Sequence, residues 1–291
     1  MTDELQAGAE PLAGLVSVDE LGRREHRDWL IVDCRFSLAD PGAGEAAYRA
    51  GHIPGAFYAH LDRDLSGPRT RGSGRHPLPA PPQLVALFSR WGIRPSTRVV
   101  VYDDCGGMIA ARLWWLLRWM GHHHSALLDG GIQAWQRAGL PLSTDIPDRA
   151  SCAFQGSPEK MAVTTTSSLE QRLADSRCVL LDVRARQRYR GEDEPIDAIA
   201  GHVPGALNYP TSENLTQDGH FKSRTALYER FALWTDHLAR SDLTVMCGSG
   251  VTACHSIFAM ELAGLPGARL YPGSWSEWIA EPDRPITRDA Q

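Results

Sequence analysis

One cysteine in this 291-residue chain stands where a thiol can do chemistry. Cys247 lies between the apolar run 243–246 and the small residues 248–250, within the stretch VMCGSGVTACHS. A structural cysteine is expected inside an apolar run, whereas a reactive thiolate needs an exposed position with a positive electrostatic potential. The position of Cys247 therefore predicts an exposed, reactive thiol at the end of a strand.

The residues after the cysteine have the composition of an anion-binding loop. Gly248 and Gly250 permit positive φ angles and a close backbone approach, so that successive N–H groups can point inward. A helix that begins near Val251 and Thr252 would add its positive N-terminal end. We expect these four residues to stabilise a thiolate, a persulfide or an anionic leaving group at Cys247. The alternative is a buried cysteine before an ordinary glycine turn.

Composition excludes several classes of protein. A net charge of −5 gives no broad basic surface for nucleic acid, and no apolar stretch approaches the roughly 20 residues of a membrane span. The acidic N-terminus does not resemble a signal peptide, so we predict a cytoplasmic protein. No C-x-x-C pair occurs, and five further thiols are expected to be free and unreactive. These are Cys34, Cys105, Cys152, Cys178 and Cys254.

The chain contains an internal repeat. GHIPGA at 51–56 returns as GHVPGA at 201–206, and LLDGGIQAW at 127–135 corresponds to RLYPGSWSEW at 269–278. The motifs follow in the same order in both halves, which indicates two homologous domains. A polar, turn-rich segment from about residue 143 separates them. We place the first domain at 1–145, the linker at 146–162 and the second domain at 163–291.

Short β-branched runs alternate with helical patterns in both halves. The runs predict strands at 98–102, 178–183 and 243–246. The longer patterns predict helices at 109–120, 224–240 and 252–263. This alternation predicts two α/β domains, each a parallel sheet with helices on both faces. Ligands bind such sheets beyond the carboxyl ends of the strands, where Cys247 lies and where the first half carries Asp103.

The combined motifs are similar to those of one family. Both D-x-R strand ends, both GH[IV]PGA segments, DGGIQAW, PGSWSEW and the CGSGVTA loop resemble the tandem-domain sulfurtransferases of the rhodanese superfamily. The resemblance implies that Cys247 attacks the sulfur of a small donor and becomes a persulfide. The sulfur then passes to cyanide or to a thiol such as thioredoxin or glutathione. The implied chemistry uses no metal and no cofactor.

The resemblance also implies a proton relay. Loss of sulfur from 3-mercaptopyruvate leaves an enolate, which needs a proton. The family's relay falls on Ser249 in the loop, with His76 in GRHPLP and Asp62 in AHLDRD of the first half. The first domain is therefore expected to contribute side chains to the cleft as well as to support it.

Arginines are implied for the donor carboxylate, because a guanidinium fork suits a carboxylate well. Arg188 matches the first of the two arginines that the family uses in this segment. The second should follow the Glu-Pro pair, where this chain has Ile196. Arg190 is close in sequence, but its register would point it elsewhere.

The loop favours 3-mercaptopyruvate as the donor. Relatives that use the dianion thiosulfate usually carry cationic side chains in this loop, whereas this chain has Gly248 and Ser249. A thiosulfate sulfurtransferase and a persulfide carrier or binding module without turnover remain the alternatives. A dual-specificity phosphatase is excluded, because its C-x5-R loop would need arginine where Ala253 stands. The run His122–His124 is expected to be a solvated turn and no metal site.

Overall fold

Two parallel sheets form the framework of the molecule. The computed structural model describes residues 14–23, 29–159, 163–235, 239 and 242–288. The first sheet has the strand order β1-β5-β4-β2-β3. Its strands are β1 (Leu15–Val16), β2 (Trp29–Asp33), β3 (Ala56–Tyr58), β4 (Arg98–Tyr102) and β5 (Ser125–Leu128). The second sheet has the order β7-β6-β8-β9. Its strands are β6 (Val179–Asp182), β7 (Leu207–Asn208), β8 (Leu243–Met246) and β9 (Arg269–Leu270).

Helices connect the strands in both halves. The first half contains α1 (Val18–Gly22), α2 (Ala43–Ala50), α3 (Pro81–Arg90), α4 (Ala110–Trp119) and α5 (Gly131–Arg137). The second contains α6 (Thr166–Ala174), α7 (Arg186–Arg190), α8 (Arg224–Thr235), α9 (Thr252–Leu262) and α10 (Ser274–Trp278). Within the described part of the chain, none of these helices has the length and apolarity needed to cross a membrane.

Alternate residues of the central strands face two different cores. In β2, Leu30 and Val32 lie in a core shared by both halves, while Ile31 lies in a core confined to the first half. In β6, Leu181 joins the shared core and Leu180 a third core of the second half. Every ladder between strands is parallel, and both faces are buried. The predicted fold class is confirmed.

The predicted elements agree closely with the observed ones. Strands β4 and β8 have the predicted bounds. Strand β6 and helix α4 are one residue shorter than predicted at each end, and α9 is one residue shorter at its C-terminal end. Helix α8 covers the first part of the helix predicted at 224–240, of which residues 236–238 and 240 lie outside the described residues. The described linker residues 146–159 form no helix or strand. The domain boundaries at 145 and 163 stay a prediction.

Helices α4 and α9 pack together and join the two halves. Trp114 of α4 meets Phe258 of α9 edge to face, with ring centroids 4.8 Å apart. Arg118 and Glu261 form an ion pair of 3.1 Å across the same helices. Because α4 follows the loop at Asp103 and α9 follows the loop at Cys247, this packing brings the two strand-end loops to one side of the molecule.

Candidate active site

The loop 247–251 curls around the sulfur of Cys247. Gly250 has φ +75°, a conformation that favours glycine, and its N–H group donates to the Cys247 Sγ over 3.1 Å. A Cβ at Gly250 would lie 2.4 Å from the carbonyl oxygen of Pro272, so that no side chain fits there. The N–H group of Cys247 donates to the Ser274 Oγ at 3.0 Å, which fixes the start of the loop.

The expectation of an exposed thiol is wrong, because Cys247 is only 2% exposed. The segment 74–76 of the first half lies against the loop region. A Cβ at Gly74 would approach the Gly273 oxygen to 2.5 Å, and the Arg75 N–H group donates to the Ser276 Oγ at 2.9 Å. This packing of the first half against the loop could not be predicted from the residues around Cys247. A cavity of about 450 Å³, lined by residues of the first half that include Arg75 and His76, borders the site.

The three side chains of the predicted relay lie in one row. The Ser249 Oγ is 2.7 Å from the Nδ1 of His76, and the Nε2 of His76 is 3.2 Å from the Oδ1 of Asp62. Because a carboxylate can only accept, the tautomer with its proton on Nε2 suits the contact with Asp62. The Nδ1 atom is then an acceptor for the Ser249 hydroxyl. The arrangement suits a serine that gives up its proton to histidine and takes it back.

His76 stays neutral at ordinary pH. Burial, and then the positive charges of Arg112, Arg75 and Arg69, lower the pKa of His76 from 6.5 to about 3. The Asp62 side chain is 46% exposed, so water screens its negative charge. The neutral imidazole keeps one nitrogen as a hydrogen-bond acceptor, which the Ser249 hydroxyl can use at Nδ1.

Two buried histidines predict that the protein loses stability in mild acid. Burial lowers the pKa of His255 to about 4, and His76 titrates near 3, whereas unfolded histidines titrate near 6.5. Between pH 6.5 and 4 the unfolded state therefore binds protons that the folded state does not. The free energy of unfolding decreases as the pH is lowered through this range. We expect each histidine to lower the free energy of unfolding by about 1.5 kcal/mol when the pH falls from 6.5 to 5.

Urea denaturation at these two pH values measures this loss. His255→Gln should reduce the pH dependence by about one histidine's share, since the other titrating groups are common to both proteins. An unchanged pH dependence in the variant would contradict the assignment.

Arg188 lies beside the loop 247–251 at Gly248, and its predicted part in binding the donor stays a prediction. Its Nε donates to Glu194 at 2.9 Å and its Nη2 to Asp197 at 2.9 Å. The two other candidate positions lie differently. Ile196 is 43% exposed, and Arg190 is 3.6 Å from Glu192 in an exposed pair. Neither supplies a second guanidinium to the loop.

Two arginines of the first half also lie near the loop, and neither was predicted from the sequence. Arg75 reaches the loop at Gly248, where a Cβ would lie 3.1 Å from its Nη2. Arg112 is fully buried, and its Nη groups donate to the carbonyl oxygens of Gly250 and His76 at 3.2 and 3.1 Å. One signal pointed to Arg112, a single charge within the apolar run 110–117. A charge in such a run needs buried partners.

The remaining loop residues lie near the site through their backbone atoms. The Gly248 carbonyl oxygen accepts from the Ser276 N–H group at 2.9 Å. Val251 is buried and precedes α9, whose first residue is Thr252, and no side chain caps this helix. The amides of its first turn therefore face the loop end. Their predicted part in binding substrate stays a prediction.

The corresponding loop of the first half holds a carboxylate in place of the thiol. Asp103 is fully buried, and its Oδ1 accepts from the N–H groups of Cys105 and Gly107 at 2.9 and 2.8 Å. Its Oδ2 accepts from Ile109 and Ala110 at 2.8 and 2.9 Å. The repeated strand-to-helix loop thus surrounds an anion with backbone N–H groups, which supports the same reading at Cys247.

Other candidates have structural partners. Cys254 donates to the Gly250 oxygen at 3.3 Å, and burial raises its pKa to about 12, so that it is a poor nucleophile. The Nε2 of His122 lies 2.9 Å from the Thr97 oxygen, and His123 pairs with Glu159 at 3.4 Å. In the described ranges, no group of three or more His, Cys, Asp or Glu side chains is placed to hold a metal ion.

Both halves match one family model. The description of that family is "Rhodanese-like domain", and the matches cover residues 17–138 and 165–281. A probable 3-mercaptopyruvate sulfurtransferase of Pseudomonas aeruginosa is 46% identical over 277 residues, which cover 94% of this chain and 98% of that protein. A putative thiosulfate sulfurtransferase, SseB of Mycobacterium tuberculosis, is 40% identical over 89% of this chain and 90% of that protein.

A solved structure has the same two-domain arrangement. The crystal structure of SseA from Escherichia coli, named among the 3-mercaptopyruvate sulfotransferases, superposes with a TM-score of 0.77. The match covers 91% of this chain and 99% of SseA, at 28% sequence identity. With 91% of the chain covered, the similarity spans both halves.

Proposed function

This chain belongs to the rhodanese family, and from that membership we propose that it is a sulfurtransferase whose donor is 3-mercaptopyruvate. One observation carries the proposal. The Cys247 sulfur lies in a loop with an N–H donor at 3.1 Å, next to a serine hydroxyl that is 2.7 Å from a neutral histidine. A nucleophile and a source of protons thus occur in the same loop.

In the first stage of the reaction, Cys247 takes a sulfur atom from the donor. Its thiolate attacks the donor sulfur, a sulfur–sulfur bond forms, and the bond between that sulfur and C3 of the donor breaks. The bonding electron pair goes to C3, which leaves the enolate of pyruvate. The N–H group of Gly250 stabilises the negative charge on the thiolate before the attack and on the persulfide after it.

The relay moves the proton that the enolate needs. The donor thiol loses its proton to the Ser249 oxygen as Ser249 passes its own proton to the Nδ1 of His76. The proton returns by the same path to C3 of the enolate, and pyruvate leaves. Asp62 holds the His76 ring in the orientation that leaves Nδ1 free to accept.

In the second stage of the reaction, the outer sulfur of the persulfide passes to an acceptor. A thiolate acceptor attacks the outer sulfur, and Cys247 departs as a thiolate, ready for the next donor. We propose that the acceptor is a small thiol such as glutathione, a protein thiol such as thioredoxin, or cyanide. We place the protein in the cytoplasm, where its six free thiols fit a reducing environment.

The charges around the loop favour a monoanionic donor. Arg75 and Arg188 stand beside Gly248, but the buried carboxylates of Glu194 and Asp197 pair with them. The cluster therefore has little excess positive charge for a dianion such as thiosulfate.

A steady-state comparison of 3-mercaptopyruvate with thiosulfate tests the donor. We expect a higher kcat/KM for 3-mercaptopyruvate, because one carboxylate and one proton source match the site. A preference for thiosulfate by about tenfold or more would overturn the donor assignment and leave the persulfide chemistry standing.

Thiosulfate sulfurtransferase is the second candidate function. The 40% identity to the M. tuberculosis protein of that putative name favours it. The same comparison separates the two functions. A persulfide carrier would be recognised by a halt after one sulfur per chain when excess donor and acceptor are present.

A further inference from the structure

We propose that Arg75 of the first half binds the donor carboxylate together with Arg188 of the second half, and thereby selects donors that carry this carboxylate. The inference rests on the proposed function and identifies a second arginine for it. It assigns to the first half a part in recognition of the donor.

The guanidinium groups of Arg75 and Arg188 lie side by side at Gly248, next to the nucleophile. A Cβ built on Gly248 would lie 3.1 Å from the Nη2 of Arg75, and 3.4 and 3.5 Å from the Nη2 and Nη1 of Arg188. Both guanidinium groups therefore lie against the residue that follows Cys247 in the chain. A carboxylate bound to them would lie close to the attacked sulfur. A carboxylate accepts two such N–H groups at about 2.8 Å.

Two buried carboxylates hold the guanidinium groups in place. Asp197, whose side chain is 4% exposed, pairs with the Nη1 of Arg75 at 2.5 Å and with the Nη2 of Arg188 at 2.9 Å. Glu194 accepts from the Nε of Arg188 at 2.9 Å. These pairs engage the Nη1 of Arg75 and the Nε and Nη2 of Arg188. Among the described residues, the Nη2 of Arg75 and the Nη1 of Arg188 have no carboxylate partner, and both lie near Gly248. Rigid donors of this kind bind an anion without first having to be ordered.

Arg75 has hydrogen-bonding capacity that the described residues do not use. Its Nε is buried and has no hydrogen-bond partner among the described residues, while its Nη1 is engaged by Asp197. A buried guanidinium N–H group without a partner is unfavourable, and an incoming carboxylate would satisfy it. The backbone N–H group of Arg75 is fixed on Ser276, so the side chain starts from a defined position.

The contact between Arg75 and Asp197 also links the two halves, so a merely structural role must be distinguished. We compare 3-mercaptopyruvate with 1-mercaptopropan-2-one, which has the same thiol and ketone and lacks the carboxylate. A lost contact between charged groups lowers kcat/KM by about 10-fold to 150-fold. Arg75→Ala should show this loss with 3-mercaptopyruvate, mainly as a higher KM, and little change with the ketone. A structural role would lower both donors equally and would overturn the proposal.

Binding without turnover gives an independent readout. In a Cys247→Ser background, Arg75→Ala should weaken equilibrium binding of 3-mercaptopyruvate by about tenfold or more. Arg75→Gln, which keeps most of the side-chain volume, carries the same test if the alanine variant does not fold. Arg190→Ala, an exposed arginine of the neighbouring segment, is the matched control and should bind as the parent does.

The outcomes separate this inference from the proposed function. If the unaltered protein turns over 3-mercaptopyruvate and the Arg75 variants bind and use it normally, the inference alone fails. If the unaltered protein neither binds nor turns over 3-mercaptopyruvate, the proposed function fails and the inference with it. A selective loss in the Arg75 variants, absent in the Arg190 control, supports both.

Discussion

Replacement of Cys247 by serine is expected to abolish sulfur transfer from either donor. A serine hydroxyl at this position has no comparable nucleophilicity toward sulfur and cannot form a persulfide. The loop itself should persist, since serine is close in size and its oxygen can also accept from the Gly250 N–H group. Steady-state assays with 3-mercaptopyruvate and with thiosulfate measure the effect, and both activities should fall to the background rate.

Cys254→Ser is the matched control for this variant. Cys254 lies in the first turns of α9, is fully buried, and donates to the Gly250 oxygen, a bond that a serine hydroxyl can also make. Most of the activity should therefore remain. If transfer survives in Cys247→Ser and disappears in Cys254→Ser, then Cys254 carries the sulfur and our assignment to Cys247 is wrong.

Loss of the Ser249 hydroxyl should affect the two donors very differently. Ser249→Ala removes the group that stands between the donor and His76, and general acid–base catalysis of this kind contributes about 10²–10⁴-fold. We expect kcat with 3-mercaptopyruvate to fall by that factor. Sulfite, the leaving group from thiosulfate, departs as a stable anion without a proton, so transfer from thiosulfate should change little.

His76→Asn provides the check on the relay. Because Ser249 and His76 act as one unit, the double variant should lose no more than about the larger single effect. Each variant serves as its own control, since activity with thiosulfate reports an intact nucleophile. Independent, multiplicative losses in the double variant, or equal losses with both donors, would contradict a proton relay.

Local sequence predicted the strand and loop of the nucleophile well. The apolar run 243–246 and the two glycines of the loop indicated a buried strand followed by a turn that needs a positive φ, and the structure shows both. These features depend on short stretches of chain, where side-chain periodicity and glycine conformation decide the outcome. The repeat of the GH[IV]PGA and tryptophan motifs likewise indicated two similar sheets.

Contacts between the two halves could not be predicted in this way. His76 and Ser249 are 173 residues apart, and only the family resemblance paired them. The burial of Cys247 and the approach of Arg75 to Gly248 depend on how segment 74–76 packs on the second half. No local pattern records that packing, since it arises from the shared core between α4 and α9.

Position 196, which holds isoleucine and not arginine, also shows that local sequence does not predict contacts between the halves. The sequence has Ile196 where the family's second arginine is expected, and no nearby residue replaces it in register. In the structure, a guanidinium from the other half reaches the same loop. The residues next to position 196 gave no sign of this contact, because Arg75 lies about 120 positions away in the chain.

The most direct test of the central claim is a single turnover of the protein with 3-mercaptopyruvate in the absence of an acceptor, followed by measurement of pyruvate and of the mass of each cysteine peptide. Our account predicts about one pyruvate per chain and one added sulfur, located on the peptide that contains Cys247. Pyruvate without a persulfide, or a persulfide on any other cysteine, would contradict it.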